Sequence, residues 1–447
     1  MKILFIITVI LCRDSYIVMF KRNRRLNKMS AQAALENNII RTMSHFDGSD
    51  QIKHYVSNGY VAELSESTVK KLRADSSVQL AEKDRMVKIA DYKIFDIVLN
   101  VDEDPNIKVK IKKQYNAPWG LSRVTGIDYF KHHLFLYPSN SGQDVDVYVI
   151  DTGVAVDHPE FQGRARWGAN LVDGSPDKDE NGHGTHCAGV IASKSFGIAK
   201  NANITAIKVL DRDGSGMISR IIAGIDFVID EHESKKDLLY DMATAKFLSK
   251  NSKESNLNEK IEKFINESDL LPKSVVNMSV GGERSAALNF AIDYAVSLGI
   301  HFSVAAGNER KNACAFSPGS SKHAITTGAS TKKDTTADFS NFGKCVDLYA
   351  PGVDIISTWN DKGSRMASGT SMAAPHTTGA MAMYLSSYQY SPENLKKQII
   401  KDTQNAIKEC ESGNSFYNIW PLNILFSKDK LPLLSIQNLL KKIESIN

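Results

Sequence analysis

The sequence predicts an α/β protein, a doubly wound parallel sheet preceded by a small α/β domain. Three observations carry that prediction. Apolar runs of six or seven residues recur through the middle of the chain, as strands buried on both faces of a parallel sheet do. Stretches of helical periodicity lie between them. The first 90 or so residues hold a strand–helix alternation of their own, ahead of a polar, charged spacer.

The chain has 447 residues, enough for two or three domains. Its formal net charge is only +4, from 55 basic and 51 acidic residues, which disfavours nucleic acid or an anionic membrane as partner. "MKILFIITVILC" (1–12) is too short to span a bilayer but suits the apolar part of a signal peptide over residues 1–15. A secreted protein with no membrane span, acting as a monomer, is expected.

Residues 16–89 form the small domain. "YIVMFK" (16–21) reads as a strand, followed by a basic helix-prone stretch to Phe46. "GYVAELS" (59–65) is a strand, "ESTVKKLRAD" (66–75) a helix and "VQLAEKDRMVKI" (78–89) strands. Residues 90–115 are charge-blocked and read as a linker containing a maturation site. The main domain spans 116–425. Its strands are "VDVYVID" (145–151), "ITAIKVL" (204–210), "SVVNMSV" (274–280), "IHFSVAA" (300–306) and "AITTGA" (324–329). Helices are expected at 219–231 and 287–299. Residues 232–273 interrupt the rhythm as a polar, partly helical insert, expected on the side of the sheet away from the strands' carboxyl ends. Residues 426–447 read as a C-terminal extension.

Four local features carry chemistry. Asp151 ends a buried strand, where open α/β sheets place their sites, although Asp also simply caps turns. "NGHGTHCAG" (181–189) offers His183, His186 and Cys187. The spacing leaves a catalytic base, a metal ligand and a packed histidine all open, because the helical metal motif uses spacing four with an acid between. "SGTSMAAPH" (368–376) sets Ser371 at a helix start among small residues, with backbone amides aimed at developing negative charge. "VAAGN" (304–308) ends a strand in Asn308, whose amide can point at an oxyanion.

Asp151, His183 and Ser371 follow the chain order of subtilisin's catalytic residues. "VIDTGV", "GHGTHCAG", "NMSVGG", "VAAGN" and "SGTSMAAPH" resemble the motifs of the subtilisin-like serine proteases. "APWGL", "GSGMISRIIAGIDFV" and the cysteine after "GHGTH" are most similar to the proteinase K branch. The resemblance covers about residues 116–405. It implies a serine endopeptidase with His183 as base, Asp151 as its orienter, Ser371 as nucleophile and Asn308 with the Ser371 amide as oxyanion donors. It makes His186 a core residue and Cys187 a buried thiol. It also implies substrate strands at Gly214, Ser215 and Gly216 and at Ser279, Val280 and Gly281, with Ala305, Ala306 and Gly307 walling a pocket for an apolar side chain.

The N-terminal pieces "YIVMFK", "GYVAELS" and "LRADSSVQLAEKD" resemble inhibitory propeptides of the same family, so the chain's own propeptide is an expected partner beside protein or peptide substrates. Activity is expected to fall below about pH 6.5 as His183 protonates. No cofactor is expected for catalysis. The proteinase K branch implies a structural calcium on Asp347 with carbonyls near Lys322 and Ala324, and a bridge between Cys314 and Cys345, leaving Cys187 and Cys410 free. Of two glycosylation patterns, Asn203 and Asn266, only Asn266 is expected to be exposed. Three rivals remain: a catalytically dead binding module, a processing protease for basic sites and a metal-dependent hydrolase. The first is disfavoured by the intact Asp151, His183, Ser371 and Asn308, the second by His186 where that group carries Arg.

Overall fold

The computed structural model describes residues 14–21, 28–48, 50–89, 93–96, 111–126, 133–250, 260, 271–407 and 431–444. It divides into two compact units, Met1–Arg85 and Met86–Asn447. The first 13 residues, Cys12, Cys410, Asn266, most of the expected linker and residues 251–259 and 261–270 of the insert lie outside the described residues.

The first unit contains β1 (Asp14–Phe20), α1 (Lys28–Met43), β2 (Gln51–Val56), β3 (Gly59–Leu64), α2 (Glu66–Ala74) and β4 (Val78–Lys83). Its antiparallel sheet runs β2-β3-β1-β4. Val18, Phe20, Tyr60, Leu64 and Leu72 fill its core. Ser65 starts α2 by accepting the Thr68 N–H, satisfying one of the helix's orphan donors. The strand β2 is not foreseen from the sequence, because most of its residues face outward.

The second unit opens with β5 (Met86–Ile89), β6 (Lys93–Asp96), β7 (Ile111–Gln114), α3 (Trp119–Val124), β8 (Phe135–Pro138), β9 (Asp146–Asp151) and β10 (Ala165–Asn170). It continues with α4 (His183–Ala192), β11 (Asn203–Lys208), β12 (Ser215–Met217), α5 (Ile218–Lys250), β13 (Ser274–Met278), β14 (Val280–Glu283) and α6 (Ala286–Ser297). Then come β15 (His301–Ala305), β16 (Phe316–Ser317), β17 (Ile325–Ser330), β18 (Leu348–Pro351), β19 (Ile355–Thr358) and β20 (Ser364–Ser368). Last are α7 (Thr370–Ser387), α8 (Pro392–Asp402), β21 (Gln404–Ile407), β22 (Leu431–Leu433) and α9 (Gln437–Glu444).

The main sheet runs β10-β11-β9-β13-β15-β17-β18-β22-β21. Neighbours are parallel from β10 to β22, and only β21 runs antiparallel. Every residue of β13, β15 and β17 is buried, which explains their unbroken apolar or small-residue runs. The chain fills β10 and β11 on one side of β9 and then crosses to β13 on the other. The strand order therefore switches at β9, and sites in such sheets form at the carboxyl ends beside a switch.

Four expectations are corrected. The linker is not free of strands: β6 pairs with β20 and β7 with β8. The insert does not begin at a helix break, since α5 runs unbroken through Lys250. Its Lys235 contacts Asp146 at the amino end of β9, on the side expected for the insert. Residues 431–444 are no appendage. Leu434, Ile436, Leu439, Leu440 and Ile443 belong to the same core as Trp119, Leu121 and Tyr384. Asn203 is exposed after all, with its Nδ2 on Asp146 Oδ1 at 3.3 Å.

Candidate active site

Asp151 is the last residue of β9 and is fully buried. The chain then turns through Gly153, whose φ of +107° suits glycine. A Cβ on Gly184 would stand 2.1 Å from the Gly153 carbonyl, so glycine lets the first turn of α4 approach that loop. His183 is thereby the first residue of α4, and its Nδ1 lies 2.7 Å from Asp151 Oδ1.

Asp179, not singled out from the sequence, fastens this arrangement. Its Oδ1 accepts from Thr152 Oγ1 at 2.9 Å and the Gly182 N–H at 2.8 Å, and its Oδ2 accepts from the N–H (3.0 Å) and Oγ1 (2.6 Å) of Thr185. One buried carboxylate thus joins the turn after β9 to the start of α4. The signal was available: an acid four residues before His183, where a helix start wants negative charge.

Burial resists protonation of His183, but the charge of Asp151 and the hydrogen bond to it win, so its pKa is raised well above the ordinary histidine value. His186 behaves oppositely. Burial pushes it down to about 3, and its neutral ring donates Nε2–H to the Ile355 carbonyl at 3.0 Å. The same nitrogen also reaches the Arg365 carbonyl at 3.2 Å, so backbone oxygens rather than a metal occupy it. Asp151, His183 and Cys187 do cluster. Yet the first two are at hydrogen-bond distance from each other, and burial pushes the Cys187 thiol up, away from the thiolate a metal needs.

Ser371 is the second residue of α7. Pro375 lies inside this helix and lacks the N–H that would bond the Ser371 carbonyl four residues back. That carbonyl instead accepts from Ser279 Oγ at 2.9 Å and from Cys187 Sγ at 3.4 Å. The proline thereby ties the helix start to the end of β13 and to α4. Ser371 Oγ donates to the Ser279 carbonyl at 3.1 Å.

Asn308 follows β15 through Gly307, which has φ +100°. Its Oδ1 accepts from the Thr370 N–H at 2.9 Å and Thr370 Oγ1 at 2.7 Å, which forces Nδ2 to the other side. Thr370 Oγ1 in turn accepts the Gly307 N–H at 3.1 Å. A methyl group on Gly369 would meet Asn308 Nδ2 at 3.2 Å and the Ser371 amide nitrogen at 3.6 Å. Both nitrogens therefore flank one small space that glycine keeps open.

Beside this space runs an edge-strand channel, and the chain's own β5 lies in it. Ser215 and Gly216 of β12 pair with Lys88 and Val87, and the Gly214 carbonyl accepts the Ile89 N–H at 2.9 Å. Val280 and Gly281 of β14 pair with Ile89 and Lys88. A cavity of about 180 Å³ opens there, lined by Lys88, Ile89, Val280, Gly281, Ala305, Gly307 and Glu309. Ala306 is buried behind it. Glu309, also missed, holds Asn341 Nδ2 at 2.6 Å.

Cys314 and Cys345 form a disulfide, with Cα atoms 5.3 Å apart, and Cys187 is a free, buried thiol. At the oxygens expected to hold calcium, Lys396 Nζ donates to the Lys322 carbonyl, the Ala324 carbonyl and Asp347 Oδ2 at 3.1, 2.6 and 2.8 Å. Among the described residues no helix is long and apolar enough to cross a membrane.

Comparison with known proteins identifies the family of both parts of the chain. Residues 142–417 match the subtilase family (peptidase S8), and residues 15–90 match the peptidase inhibitor I9 family. A protein of Encephalitozoon cuniculi named as a subtilisin-like proteinase is 48% identical, covering 98% of each chain. Alkaline protease 2 of Aspergillus fumigatus is 35% identical over 91% of this chain and 81% of its own. The crystal structure of a cold adapted subtilisin-like serine proteinase is 34% identical with a TM-score of 0.56, covering 72% of this chain and 98% of that one.

Proposed function

The chain belongs to the subtilase family as a serine endopeptidase made with an inhibitory propeptide, and from that premise we propose which residues do the work. Ser371 Oγ attacks the peptide carbonyl, and His183 takes its proton and later gives it to the leaving amine. Asp151 holds the imidazole through Nδ1 and stabilises the imidazolium. Asn308 Nδ2 and the Ser371 N–H receive the oxyanion in the space beside Gly369. To reach His183, the Ser371 hydroxyl rotates off the Ser279 carbonyl.

The observation that carries this reading is β5, an extended segment held between β12 and β14 in a cavity that Gly307, next to Asn308, also lines. A peptide substrate adds itself to the same edges by main-chain hydrogen bonds. The small, apolar wall of Val280, Gly281, Ala305 and Gly307 suits an apolar side chain before the cut bond. Because β5 pairs on one side of the site and β6 pairs with β20, the first cut falls between Ile89 and Lys93. The enzyme makes that cut itself, since its own chain is at high effective concentration. The Cys314–Cys345 bridge supports a secretory route, because disulfides persist in oxidising compartments.

Expression of Ser371→Ala tests this. The variant should accumulate uncut, fail to label with a serine-reactive phosphonate and lose on the order of 10⁶ in turnover, a magnitude carried over from subtilisin itself. The 16–89 fragment should inhibit the mature enzyme in trans. A Ser371→Ala chain that matures in a protease-free system would end the proposal.

A further inference from the structure

The oxygens that the proteinase K resemblance assigns to a metal meet a side chain instead. An ammonium has three N–H donors and no acceptor. Lys396 Nζ spends them on the Lys322 carbonyl, the Ala324 carbonyl and Asp347 Oδ2. Its donor–acceptor distances of 2.6 to 3.1 Å lie just beyond the roughly 2.3–2.6 Å of calcium–oxygen contacts. The two cations therefore compete for one point, and charge repulsion forbids both.

Lys396 is also held in place. Ser391 caps α8, Pro392 occupies its first turn, and Leu395 and Ile399 bury its inner face. Asp347 accepts the Thr326 N–H at 2.8 Å as well, so its carboxylate joins the start of β17 to the approach to β18. The two side chains are only 19% and 20% exposed. Burial pushes the Asp347 carboxyl above its ordinary value, and the Lys396 charge offsets only part of that rise.

We propose that Lys396 is a tethered replacement for a structural divalent cation, which makes this end of the sheet independent of calcium. Fixed charge on α8 joins the 322–324 loop to Asp347, and no free ion is needed at this point in calcium-poor surroundings. The inference does not depend on the catalytic roles above.

The test uses the full-length chain carrying Ser371→Ala, so that it does not digest itself; self-digestion would instead count against the Ser371 assignment. Melting temperature is followed in EDTA, in calcium, and in magnesium at equal ionic strength. The parent should melt alike in all three. Lys396→Ala should melt roughly 3 to 8 °C lower in EDTA, because a largely buried carboxylate loses its partner. Calcium, and not magnesium, should restore much of that loss, and adding Asp347→Asn should abolish the restoration. Lys396→Gln, which keeps most of the stem, should melt between the two and serves if the alanine variant fails to fold. A calcium-dependent rise in the parent that Asp347→Asn removes would overturn the proposal. So would a Lys396→Gln chain as stable as its parent.

Discussion

Replacing Thr370 by valine removes a hydroxyl that never touches substrate on the present reading. The methyl that takes its place keeps the shape. The hydroxyl donates to Asn308 Oδ1 at 2.7 Å and accepts the Gly307 N–H at 3.1 Å, while the backbone N–H of Thr370 still reaches Oδ1 at 2.9 Å. One of the two Thr370 donors that orient the Asn308 amide is therefore lost. Loss of the whole amide costs roughly 10² to 10³ in kcat, or about 2.7–4 kcal/mol, a figure that comes from subtilisin itself. Half of that free energy is roughly a 10- to 30-fold fall in kcat for Thr370→Val. KM should hold, because the oxyanion exists only in the transition state. The buried Gly307 N–H also loses its acceptor, which costs about 1–3 kcal/mol of stability. Steady-state kinetics on a peptide substrate, with melting temperature beside it, separates the two effects. Thr370→Ser should recover most of kcat. The reasoning fails if Thr370→Val keeps the parent kcat, or if Thr370→Ser is no better than Thr370→Val.

Other outcomes follow from the same geometry. The raised pKa of His183 means that the base is still protonated, and so idle, at pH values where an ordinary histidine is already neutral. The acid limb of kcat/KM for the mature enzyme should then lie above about 6.5, the ordinary value. This replaces the expectation drawn from an unperturbed histidine, and a limb at or below 6.5 contradicts it. Cys314→Ser should destabilise the protein by about 3 to 4 kcal/mol in the chain-entropy model, given a separation of 31 residues. Denaturant unfolding of the uncut Ser371→Ala chain would read this loss, and an unchanged midpoint would refute it. A chain ending at residue 430 lacks six buried aliphatic side chains worth about 1.5–3 kcal/mol each, comparable to a whole domain's stability. It should give no folded, phosphonate-reactive enzyme, whereas the single change Leu440→Ala should cost about 2–5 kcal/mol and still fold. A fully active truncation would show that residues 431–444 are dispensable.

What could be read from the sequence was what is written in consecutive residues. Buried parallel strands appear as apolar runs, so β9, β11, β13, β15 and β17 were found within a residue or two. Asp151, His183, Asn308 and Ser371 each sit in a string of small residues that packing alone does not require. Illegible features depend on partners distant in the chain. The strands β5 and β6 lie against β12, β14 and β20, and their own residues alternate too briefly to announce it. Thr370 was not singled out from the sequence, and only the fold sets its hydroxyl against Asn308. Lys396 was invisible for a stronger reason: two of its three acceptors are backbone carbonyls, which leave no mark on the residues that bear them.

Placement of residues 431–444 also sets a timetable. In the main sheet β22 stands next to β18, and the Ile436 N–H bonds the Val124 carbonyl, so a late-synthesised segment closes a core begun more than 300 residues earlier. Translation must therefore deliver that segment before the core is whole. During synthesis the nascent chain carries Ser371 before the buried side chains of residues 431–444, which share one core with the helix bearing it. The core around that helix is thus complete only once residues 431–444 have been made, so the serine is carried before it is fully enclosed.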